Sequence, residues 1–153
     1  MRTFTRSILM IGGGIALTVG IALSVNADDA GAIKYRQAVM KVVGGHMGAS
    51  VAIIKGQVPY KDDLLVHARG LDHMAKLVAN AFEQETFGGK TRAKDDIWED
   101  ADGFNEKVEA FKEATAAFLS AAESGGPEAA GAKLGPLGET CKGCHKKYRA
   151  KKS

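Results

Sequence analysis

From Trp98 to Phe118 the chain reads WEDADGFNEKVEAFKEATAAF. Trp98, Ala101, Phe104, Val108, Phe111, Ala114 and Phe118 recur at spacings of three and four over roughly five turns, which places them along one face of an α-helix. Asp95 and Asp96 stand where a helix start favours acids, and Ser124-Gly125-Gly126-Pro127 ends the pattern. No comparable stretch alternates with a period of two, so the chain reads as all-α.

Working outward, the same periodicity appears three more times. Leu64, Ala68, Leu71, Ala75, Val78 and Phe82 form a stripe on a helix starting near Tyr60, with Asp62 and Asp63 in its first turn. This helix runs into a flexible connection at Phe87-Gly88-Gly89. Ile33, Gln37, Met40, Val43 and Met47 mark a helix from about Ala30 to Lys55, which breaks at Gly56-Gln57-Val58-Pro59. Leu134, Leu137, Cys141, Cys144, His145 and Tyr148 share a face of a last helix from about Glu128 to Lys151, where Gly135-Pro136 kinks or splits the start. Four antiparallel helices with short connections make an up-down-up-down bundle, whose core can hold a cofactor between facing helices.

The last helix carries Cys141-Lys142-Gly143-Cys144-His145. Two thiols three positions apart, followed at once by an imidazole, suit covalent attachment of a haem, with a thioether to each thiol and the histidine as axial ligand of the iron. A redox dithiol would use the same Cys pair but belongs beside a βαβ pattern. A structural zinc would need four protein ligands. There is no second Cys pair, and His67 and His73 are six apart, on different faces of a helix. His46, His67 and His73 read as helix-face residues, and Met47 and Met74 as core filler. Glu83 and Glu85 make no acid–base pair. The haem is therefore expected in the bundle core, against the C-terminal helix.

The N-terminus reads as an export signal over 1–27. Arg2 and Arg6 precede an apolar run from Ile8 to Val25, and Val25-Asn26-Ala27 is a small-residue cleavage site. A retained membrane anchor is the rival, since the run is long enough to span a bilayer. The switch to Asp28-Asp29 favours cleavage, which leaves no stable anchor. Removing 27 of the 153 residues leaves a single 126-residue domain over 28–153, and losing two arginines takes the net charge from +3 to +1. Such a balance does not suit nucleic acid. Positive charge is instead local: Lys142, Lys146, Lys147, Arg149, Lys151 and Lys152 crowd the motif. They form either a solvated helix end suited to the dipole or a docking patch for an acidic redox partner.

On these residues the chain resembles cytochrome c′ and its low-spin relatives, the class II c-type cytochromes. The resemblance rests on the C-terminal motif followed by Lys146-Lys147-Tyr148-Arg149, and on Tyr35-Arg36-Gln37 followed by Met40. Lys55-Gly56-Gln57 with Pro59-Tyr60, and Ile97-Trp98, add to it. It implies that Cys141 and Cys144 attach one haem c, that His145 is the proximal ligand, and that Arg36, Gln37 and Thr86 contact the haem. Arg149 matches a basic residue that modulates the iron beside that histidine. Met40 matches the position over the other face of the iron, where it either ligates or only blocks. Members of this family often pair as homodimers through their first two helices.

The expected function is a periplasmic one-electron carrier, exported in a Gram-negative bacterium, that serves redox partner proteins. The alternative is a five-coordinate haem protein that binds nitric oxide or carbon monoxide. An enzyme is not expected, because the first-helix face offers Val, Gly and Met rather than a positioned acid–base group.

Overall fold

The computed structural model describes residues 27–151. All of the expected export signal but Ala27 lies outside the described residues. Helix α1 spans Ala27–Ile54 and α2 Leu64–Ala81, with a single 3₁₀ turn, Lys61–Asp63, between them. A one-turn helix α3, Asp96–Glu99, precedes the long segment Ala101–Tyr148. That segment is two helices. Gly125 (φ −148°, ψ 18°) and Gly126 (φ 59°, ψ −146°) break it into α4, 101–124, and α5, 127–148. Helices α1, α2, α4 and α5 form the antiparallel four-helix bundle, and α2 packs against both α1 and the Ala101–Tyr148 segment.

The core follows the periodicity closely on two helices. Leu64, Ala68, Leu71, Ala75, Val78 and Ala81 are buried on α2, and Phe104, Val108, Phe111, Thr115, Phe118 and Ala122 on α4. Phe118, Leu64, Leu71 and Leu137 are the largest fully enclosed apolar side chains. Two buried hydroxyls bond back into their own helices: Ser50 donates to His46 O and Thr115 to Lys112 O, both at 2.9 Å. Neither is left unpartnered in the dry core.

The face of α1 differs from its expected stripe. Ile33, Arg36, Val39, Val43, Ser50 and Ile53 are buried, while Gln37 is exposed. A charged residue occupies a core position because the end of α2 supplies its hydrogen-bond partners. Although a stretch of Asp29–Ile54 reaches a mean hydropathy of 1.2, enough by composition for a membrane span, this face packs on the bundle. The helix ends in a Schellman turn. Gln57 N–H bonds Ala52 O at 2.9 Å and Gly56 N–H bonds Ile53 O at 3.0 Å, with Gly56 at φ +66° where a side chain would be strained.

Two further boundaries move. The third expected helix does not run unbroken from Asp95: Asp100 leaves helical geometry (φ −124°, ψ 58°) and separates α3 from α4. Its carboxylate accepts from Tyr148 Oη at 2.7 Å and from Lys147 Nζ, on the far end of α5. The helix is not split at Gly135-Pro136: within Ala101–Tyr148 the non-helical dihedrals fall at Gly125 and Gly126. Pro136 and Ala132, whose carbonyl loses its helical partner there, are both exposed, where water can reach it.

Residues 82–95 connect α2 to α3. Trp98 Nε1 donates to Phe82 O at 2.9 Å, and Gln37 Nε2 to Lys90 O at 2.7 Å. Ala93 and Arg149 form an antiparallel bridge, with Lys94 N–H to Tyr148 O at 3.1 Å and Ala150 N–H to Arg92 O at 2.8 Å. The connection expected to be flexible at Phe87-Gly88-Gly89 is therefore tied down on both flanks.

Candidate cofactor site

Between the C-terminal half of α5 and the middle of α1 lies a cavity of about 560 Å³, within the size range of small-molecule sites. Helix spacing brings Cys144, His145 and Tyr148 to one wall. Cys141, one turn earlier, is half-buried and packs against the core beside it. Met40, Gln37 and Lys41 line the cavity from α1. Val78 of α2, Phe82 just beyond its end, Ile97 of α3 and Phe104 of α4 supply an apolar interior, and Lys90, Thr91, Arg92 and Ala93 a rim.

The titrating groups suit a bound porphyrin better than the other readings of the motif. Burial pushes both thiols up, and for Cys144 a charge on Cys141 adds to it. Thiols held above the ordinary range stay protonated at neutral pH, unlike the thiolate of a working redox dithiol. Burial, followed by Arg149 and Arg92, holds His145 below its ordinary value. It is thus a neutral imidazole with a free lone pair, the form that binds a metal. Among the described residues no three His, Cys, Asp or Glu side chains are grouped to hold an ion unaided. A largely apolar cavity lined by one neutral imidazole, a thioether and several cations fits a haem with its two propionates.

Arg36 has a different setting from that of a simple propionate anchor. It is 3% exposed and lines the cavity, but three of its five N–H donors are committed elsewhere. Nε donates to Ala81 O, Nη1 to Thr86 Oγ1 and Nη2 to Gln84 O, each at 3.0 Å. Its guanidinium stacks 4.9 Å from the Phe82 ring and 5.1 Å from Trp98. It therefore caps the C-terminus of α2, whose last carbonyls have no partner within the helix. Thr86 is buried behind it and is not among the lining residues. Gln37 lines the cavity while holding the rim at Lys90.

An aromatic series backs this end of the cavity. Phe82 and Phe104 lie 5.0 Å apart, and Phe104 meets Tyr148 edge-on at 5.3 Å. Charge at the site is one-sided: Arg36, Lys41, Lys90, Arg92 and Arg149 line it with no carboxylate among the lining residues. Of the cations crowded around the motif in sequence, Arg149 reaches the cavity, whereas Lys147 turns to Asp100. Lys90 and Arg92 carry no local motif, and only the path of the 82–95 connection brings them to the rim.

The cytochrome C′ family model matches residues 31–149. A cytochrome c′ from Pararhodospirillum photometricum is 39% identical over 76% of this chain and 94% of its own length. A cytochrome c-556 from Agrobacterium tumefaciens is 35% identical over 80% of this chain and all of its own. Among solved structures, the nitric oxide complex of a cytochrome c prime variant from Alcaligenes xylosoxidans superposes with a TM-score of 0.74 at 34% identity, covering 81% of this chain and 97% of that one.

Proposed function

We propose, from the premise that this chain belongs to the cytochrome c′ family and carries covalently bound haem c, that it is a one-electron carrier. The reading rests on one observation: His145 of α5 and Met40 of α1 line the same cavity. When bound, haem c supplies an iron that accepts and returns one electron. Cys141 and Cys144 would tether the porphyrin to α5, and His145, on the same helix, would offer its lone pair to the iron. Met40 of α1 would offer a thioether sulfur. The aromatic and aliphatic walls exclude water and keep the site's dielectric low. Lys41, Lys90 and Arg92 line the cavity with positive charge, which would attract the carboxylates of the cofactor or of an acidic partner protein.

The apolar N-terminal run supports export to the periplasm. Tyr35 and Val42 on α1, seven residues apart, and Val66 and Leu77 on α2 stand exposed. They support pairing of two copies through these helices.

The test is the visible spectrum of the ferric and ferrous protein with and without carbon monoxide. Low-spin bands that ignore the gas are expected if Met40 fills the sixth position. Bands that shift with the gas transfer the assignment to the second reading, carriage of small diatomic gases. That reading is favoured by one observation: solved relatives of this fold hold nitric oxide.

A further inference from the structure

His46 on α1 and His67 on α2 are 21 residues apart in sequence, yet their Nδ1 atoms face each other at 3.1 Å, half-buried at the seam between the two helices. The rings are tilted by 59° with centroids 5.4 Å apart, so they converge through these nitrogens rather than stack. Imidazole nitrogens bind divalent borderline metals at about 2.0–2.1 Å. Two bonds of that length from nitrogens 3.1 Å apart subtend about 98° at a common ion. That angle lies between the roughly 90° of a square plane and the roughly 109° of a tetrahedron.

Gly70 shows that the slot is shaped for this ring. A Cβ there would come within 2.5 Å of Cε1 and Nε2 of His46. Only glycine lets the His46 imidazole lie against the α2 backbone, one turn from His67, and that backing aims its Nδ1 at the partner ring.

We propose that His46 and His67 form a second metal site, for Cu(II), separate from the haem cavity. Neither residue lines that cavity. Both rings bind as neutral imidazoles. In the metal-free pair one Nδ1–H donates to the other Nδ1, and binding moves that proton to the Nε2 of its own ring. Both Nδ1 lone pairs are then free, with no net change in protonation. Among the described residues no third His, Cys, Asp or Glu joins the pair, so water completes the coordination. An open site of two nitrogens favours Cu(II) over Zn(II), following the general order of divalent affinities.

The experiment titrates Cu(II) into the oxidised holoprotein, followed by calorimetry and electron paramagnetic resonance, with Zn(II) as competitor. One equivalent is expected, with nitrogen couplings from two imidazoles. His46→Asn and His67→Asn should each weaken binding at least tenfold, and His73→Asn should leave it unchanged. Circular dichroism checks that each variant keeps its fold. Gly70→Ala provides an independent arm: it displaces the His46 ring and should weaken copper binding while the haem spectrum stays the same. Undiminished binding in the double variant His46→Asn/His67→Asn, a single-nitrogen signal, or tighter binding of zinc than of copper would overturn the assignment.

Discussion

Replacing Arg36 with leucine tests whether this side chain is chiefly a clamp on the end of α2. The substitution removes donors from Ala81 O, Thr86 Oγ1 and Gln84 O. Gln84 is exposed, so water can replace its donor. The Ala81 carbonyl and the Thr86 hydroxyl are in buried positions, and each unmet acceptor costs about 1–3 kcal/mol. Losing the cation between Phe82 and Trp98 adds about 1 kcal/mol. Burying a leucine in place of a guanidinium offsets about 1–2 kcal/mol. The balance is a destabilisation of about 3 kcal/mol. Arg36→Lys keeps the charge, but a point ammonium cannot span three acceptors held by a planar fork, so about 2 kcal/mol should still be lost. Guanidinium unfolding followed by far-ultraviolet circular dichroism measures both. A loss below about 1 kcal/mol for Arg36→Leu, or a lysine variant as stable as the parent, would refute the clamp.

Phe118→Ala empties a fully enclosed position and should cost about 3–5 kcal/mol in the same assay. Met40→Ala should open the ferrous protein to carbon monoxide, read as a shift in its visible bands; an unchanged, gas-insensitive spectrum removes this sulfur from the iron. Hydrogen bonds from Lys147 and then Tyr148 hold the Asp100 carboxyl below its ordinary value. Its stabilisation is therefore present above the normal carboxylate range, near pH 4, and disappears as pH falls through the lowered folded value. Asp100→Asn should accordingly be less stable than the parent at neutral pH and match it in acid. A difference in melting temperature that does not close with acidification contradicts this.

Much of the bundle is legible in the sequence because it depends on local period. Leu64 to Val78 on α2, and Phe104, Val108, Phe111 and Phe118 on α4, are buried as their spacing selects, while Thr115 takes the core place expected of Ala114. Arg36 defeats the same reasoning. A guanidinium reads as surface, and its three acceptors lie 45–50 residues away, so the buried face of α1 is rotated from the expected one. The break at Asp100 is hidden for a related reason: Trp98 and Ala101 continue the period of Phe104, and the carboxylate at the break finds its partner in Tyr148, 48 residues on. At the site, Cys141, Cys144 and His145 are legible because their chemistry sits within five consecutive residues. The rim cations Lys90 and Arg92, and the meeting of His46 with His67, become visible only once separate elements are paired in space.

The same separation bears on the order in which the molecule assembles. Helical turns need neighbours only four residues away, whereas the cavity end is knitted by Arg36 to Thr86, Gln37 to Lys90, Asp100 to Tyr148 and Ala93 to Arg149. Each of these closes a long stretch of chain and must offset that entropy before it stabilises anything. The helices and the Phe118 layer can form while the mouth is still unlatched. A precursor of that kind, already helical but gaping at one end, gives a large planar guest time to enter before the rim fastens behind it.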